Sequence, residues 1–140
     1  MTSVTINEAR EAIYQRWVDN VPSGIGSNYA FANEAFTPPT NAPWARLTVV
    51  HEQGEQDSLG PIASAKRKFL RRGRVLIQIY DQVDQGTRVL DLLADESRDI
   101  FEGTLFDGVY FISADIRESG QDGEWMQLIV DAPFDYQETK

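Results

Sequence analysis

Hydrophobic positions change their period along the chain, and each change marks an element. Ile6, Ala9, Ile13, Trp17 and Val21 recur at helical spacing. Thr5 and Glu8 stand at the start of this stripe as Thr-x-x-Glu, a capping box in which each side chain accepts from the other residue's backbone N–H. The pattern predicts a helix over about 5–21, ended at Val21-Pro22 because a residue before proline disfavours helical backbone. The runs Trp44–Val50 and Arg74–Tyr80 are rich in β-branched and aromatic residues and predict strands over about 44–51 and 63–80. Helical spacing returns over about 87–102, with Val89, Leu92, Leu93 and Ile100 as the expected inner arc and Gly103 as the stop. Two further strands, about 109–117 and 125–131, flank a Glu118–Gly123 hairpin loop whose Asp-Gly favours the turn. The tail from Asp131 to Lys140 reads as extended and fraying.

The order helix, strand, strand, helix, strand, strand, with hairpin-type connections, predicts an α+β fold. Its sheet is expected to be mostly antiparallel, with about four or five strands and both helices packed on one face. Residues 1–140 read as a single domain. The 22–43 stretch is the anomaly. It is rich in Gly, Asn and Pro and too long for an idle connection, yet Tyr29, Phe31 and Phe36 are too apolar for a tether. Asn33, Phe36, Pro38 and Pro39 are its candidate docking residues. Two roles fit Phe36 equally at this level: an arm that packs on a neighbour, or a cover for the chain's own sheet edge.

Composition is that of ordinary globular protein, 41% hydrophobic and 25% charged. With no cysteine, disulfides, thiol nucleophiles and thiolate metal sites are excluded, and cytosolic folding is expected. The opening MTSVTINEAREAIYQRW mixes acids with its apolar residues and does not read as a signal or transit peptide. No apolar run approaches the ~20 residues of a membrane span.

Catalytic chemistry finds little support. The lone His51 has no nucleophile paired with it in sequence, and Gly24-Ile25-Gly26 follows a helix and does not continue as a phosphate-binding loop. Asp81, Asp84, Asp91 and Asp95 are the only acids that suggest a carboxylate metal site, and they lack a supporting Lys, His or Gly constellation. No catalytic residue, metal or cofactor is expected; a small carboxylate-metal enzyme is the alternative from another class.

Charge is more informative. The net charge is −9, which disfavours a dedicated DNA-binding domain. Against that background Lys66, Arg67, Lys68, Arg71, Arg72 and Arg74 crowd into nine positions. Asp91, Asp95, Asp99 and Glu102 lie at i, i+4, i+8 and i+11, along one helical face. A solvated edge strand and a solvated helix face explain these bluntly. A subunit interface explains them jointly: the acidic stripe of one copy meets the basic strand of the next, a head-to-tail contact that closes into a ring.

The segments "NEAFTPPTNAPWARLTV" and "RRGRVLIQIYDQVDQGTRVLDLLADESRDIFEG", followed by two strands and a Pro-Phe tail, resemble the tail-terminator proteins of long-tailed bacteriophages. The likeness spans most of the chain. It rests on Asn33, Phe36, Pro38 and Pro39 in the loop, Arg72-Gly73 before an apolar strand, and Gly86-Thr87 opening a helix. The resemblance implies a structural virion protein at the head-tail junction, made in the host cytoplasm. It implies a homohexameric ring that caps the tail tube, stops its polymerisation and offers the surface that joins the head. Tail tube protein and a head-completion protein are the implied partners. DNA passes through the hole without specific binding, for which an acidic lumen is suited. Another neck component, a head-closure or minor tail protein, is the nearest alternative.

Overall fold

The first helix, α1 (Ile6–Asn20), begins on the capping box: Thr5 accepts from Glu8 N–H at 3.3 Å, and Glu8 accepts from Thr5 N–H at 3.1 Å. The computed structural model describes residues 3–52, 54–56 and 67–140. Within these the strands are β1 (Tyr29–Phe31), β2 (Trp44–His51), β3 (Glu55–Gln56), β4 (Lys68–Gln82), β5 (Leu105–Phe106), β6 (Val109–Phe111), β7 (Asp115–Asp122) and β8 (Trp125–Thr139). The second helix, α2 (Arg88–Phe101), stands between β4 and β5. The fold is α+β, with two helices and a mostly antiparallel sheet.

That sheet has eight strands, more than the four or five expected, in the order β1-β2-β4-β8-β6-β5, with β3 on β4 and β7 on β8. Its middle is the long antiparallel pair of β4 and β8, joined in register from Lys68↔Thr139 to Gln82↔Trp125. The supposed fraying tail is therefore the second half of a central strand. Pro133 is tolerated there for a local reason. The last β7 pair is Asp115↔Asp131 and the nearest β6 pair is Phe111↔Phe134, so at Pro133 β8 has a neighbour on β4's side only. The expected strand over 109–117 is split into β6 and β7 by a bend that the end of α2 grips. Gly103 N–H donates to Ile112 C=O at 3.0 Å, and Ala114 N–H donates to the Glu102 carboxylate at 2.9 Å. The expected hairpin loop is mostly strand, with a bulge between Glu118 and Gly120. β1, inside the expected loop, adds a parallel strand beside β2.

Alternation along the strands gives the sheet two unlike faces. Ala45, Leu47 and Val49 of β2, Val75, Ile77 and Ile79 of β4, and Leu128, Val130, Ala132 and Phe134 of β8 are buried in one cluster. Ala9, Ile13 and Trp17 of α1 and Leu90, Leu93, Ala94, Ile100 and Phe101 of α2 join that cluster, which places both helices on this face. The inner arc of α2 thus differs from the expected one. Val89 and Leu92 face outward, 43% and 54% exposed, because the arc centres on Leu90, Leu93, Ala94 and Ser97. Ile6, the first residue of the α1 stripe, is also exposed.

At the edge of the core, His51 meets Phe134 and Tyr136 edge-on, with ring centroids 5.6 and 5.7 Å away. Burial, aided by the Arg10 charge, lowers its pKa below the usual 6.5. The unfolded chain therefore takes up a proton below pH 6.5 that the folded chain resists. Stability from this group is full above pH 6.5 and falls as pH drops through the window beneath it. Thermal unfolding at pH 7.5 and 5.5 should show a larger loss for the native chain than for His51→Phe. Equal losses would assign the effect to carboxylates instead.

Candidate assembly surfaces

β4 brings the basic segment into the sheet, and the pleat then divides it. Arg72 and Arg74 fall on the face away from the helices, and Arg71 on the helix side. Lys66 lies outside the described residues. Arg67 and Lys68 are exposed at the strand's start, where Arg67 exchanges backbone hydrogen bonds with Lys140 at 2.6 and 2.8 Å. Acids of β8 then answer the arginines across the ladder. Arg71 meets Glu138 at 3.1 Å and lies over the Phe69 ring at 5.0 Å; Arg72 stands 3.7 Å from Asp135. Arg74 donates to Glu52 at 2.5 Å and to Asp131 at 2.7 Å. The Glu52 hydrogen bond, partly opposed by burial, holds the Arg74 pKa above its ordinary value. Asp131, only 3% exposed, also accepts from Arg117. The arginines of the cluster are thus divided between the two faces of the sheet and form no single patch. Apart from Glu52 beside Arg74, the acids that pair with Arg71, Arg72 and Arg74 come from a strand whose second half reads in sequence as a loose tail.

No described helix or strand lies over the face that carries Arg72 and Arg74. Its centre is half-buried where the opposite face is sealed. One row runs Arg46–Gln78–Ile129–Arg117 across β2, β4, β8 and β7; the next runs Thr48–Leu76–Asp131–Asp115. Leu105 and Tyr110 lie exposed towards one end, beside a cleft of about 440 Å³ that Leu70 and Asp135 also line.

At the other end of the face the loop folds back. Phe36 is half-buried against Trp44, centroids 5.4 Å apart, and Trp44 stacks on Tyr80 at 4.1 Å and meets Trp125 edge-on at 5.8 Å. Gln82 moors the loop further on, donating to Thr40 C=O and, at 3.2 Å, to Asn41. Asn33 turns the chain with a φ of 65°. Pro38 and Pro39 flank a cleft of about 510 Å³ with Val83, Glu124 and Trp125.

The acids of α2 point where their spacing says. Asp91, Asp95 and Asp99 are exposed, opposite the buried arc. Asp95 takes a hydrogen bond from Arg98 at 2.7 Å, one turn on. Glu102 is different, since its carboxylate is engaged by Ala114 N–H. Asp81 is buried at the end of β4, and Asp84 is exposed in the turn beyond it. Among the described residues no group of three or more His, Asp or Glu could hold a metal ion.

No family model and no curated protein sequence matches the chain. A solved structure does. It superposes with a TM-score of 0.70, covering 94% of this chain and 95% of its own, at 17% sequence identity. The likeness is one of fold alone. The name of that protein states no activity, ligand or partner.

Proposed function

We propose that this chain is a tail-terminator protein, a ring-forming virion component that caps a bacteriophage tail tube and offers the head-joining surface. The order of motifs in the sequence suggests it. The observation that supports it most is that the folded chain keeps two built surfaces outward: a sheet face that no described helix covers, and an acidic helix face, Asp91, Asp95 and Asp99, beside Val89 and Leu92. A ring uses both on every subunit. In this reading the loop, held by Phe36 and Gln82, presents Pro38, Pro39 and the Trp125 cleft to the tube or to the head-completion protein. DNA passes the hole of a strongly acidic ring without adhering.

Light scattering across concentration and salt, followed by addition to polymerising tail tube protein, tests this. The expected result is a mass of about six chains, reduced at high salt as charged contacts are screened, and tubes that stop lengthening when the protein is added. Tubes that grow on unaffected at saturating protein would overturn the reading.

A further inference from the structure

The two outward surfaces are complementary to each other, and one molecule cannot bring them together. α2 packs against the sheet's helix-covered face, so its acids and the arginines of the open face lie on opposite sides of the same sheet. We propose that the open sheet face of one copy receives the outer face of α2 from the next copy, in a head-to-tail contact.

Charge argues for this occupant. In a chain of net charge −9, the open face carries four arginines, Arg46, Arg72, Arg74 and Arg117, among the acids Asp115, Asp131 and Asp135. Arg46 is half-buried and has no carboxylate partner among the described residues. Arg117 has only the buried carboxylate of Asp131 for an ion-pair partner among the described residues, and shares it with Arg74, which Glu52 also pairs. On α2, Asp91 and Asp99 have no ion-pair partner among the described residues, and Arg98 takes only Asp95 between them.

Spacing agrees. Arg46 and Arg117 stand in one row, three strand spacings apart, which is about 14 Å. Asp91 and Asp99, eight helical residues apart, are separated by about 12 Å along the axis. A helix laid along the row thus sets an acid near each guanidinium, and with Asp91 at the Arg117 end Leu92 also comes near Ile129. Layering a helix on a bare sheet face is also the ordinary way that such a face is buried.

The contact deepens the ring reading and rests on its self-association, but not on the tail assignment. Arg46→Glu, Asp91→Arg and Asp99→Arg change exposed or half-exposed side chains, and circular dichroism and thermal midpoints confirm that each variant folds. In sedimentation equilibrium, Arg46→Glu should weaken self-association by roughly 10–100-fold, as like charges then face each other. Combining it in turn with Asp91→Arg and Asp99→Arg should restore native association in one of the two pairs, which fixes the polarity of the helix on the sheet. Failure of both pairs overturns the contact, as does a native oligomer indifferent to Arg46→Glu; either leaves the ring standing on other surfaces. A native chain that stays monomeric at every concentration also overturns it, and the tube-capping assay then decides the terminator reading separately.

Discussion

Phe134→Ala is expected to cost the folded chain about 3–5 kcal/mol, the range for deleting a buried phenylalanine ring. Phe134 is 2% exposed, and its ring meets Phe111 at 5.6 Å, Tyr136 at 6.1 Å and His51 at 5.6 Å. Across the ladder it faces Gly73, where an added Cβ would stand 2.5 Å from both the Phe134 ring and the fixed Val50 carbonyl. The ring occupies the space that a side chain at 73 would need, so its removal leaves a cavity the backbone cannot close. Against a total stability of roughly 5–15 kcal/mol this is a large fraction. Urea unfolding should show a lower midpoint with an unchanged slope. A midpoint within the error of the native value would mean that β8 beyond Pro133 is not part of the cooperative core.

The second large effect is an asymmetry around Asp131. Removing both guanidiniums, as Arg74→Met with Arg117→Met, leaves a carboxylate 3% exposed with no cation beside it. Breaking a buried pair this way typically costs 3–5 kcal/mol. Arg117 is 59% exposed in its side chain, so its share is screened and the expected loss is roughly 2–4 kcal/mol. Asp131→Ala removes the buried charge instead, and both arginines can turn to water; that loss is expected to be only about 1 kcal/mol. Denaturant midpoints of the two variants decide it. If Asp131→Ala proves the more damaging, the carboxylate organises the face, not the arginines.

Local signals were legible and long-range ones were not. The Thr5–Glu8 box located α1, and the β-branched run located β2 at its observed ends, because caps and strand composition act over a few residues. In sequence β8 looks like two things, a strand and a loose tail, since Asp131 and Pro133 are both poor strand residues by themselves. What admits them is tertiary: arginines from β4 and β7 hold Asp131, and a gap between β6 and β7 forgives the missing N–H of Pro133. The acidic stripe of α2 was legible because helical period alone decides it. The inner arc of that helix lies further round than its sequence suggests, for Val89 and Leu92 look like core residues while Ala94 and Ser97 do not. The basic cluster is plain in the sequence and the acids of β8 that answer it are not, since strand register sets Arg71, Arg72 and Arg74 beside residues some sixty positions away.

Strand order also has a consequence for synthesis. Translation reaches β8 only after every strand that pairs with it, β4, β6 and β7, has been made. Until then β4 offers an open ladder and β7 has nothing to join. A polypeptide interrupted before Trp125 is not a smaller form of the domain; it is an exposed-edge species of the kind that aggregates recruit and proteases clear. The folded surfaces that β4, β6 and β7 help to build thus form only once β8 has been made.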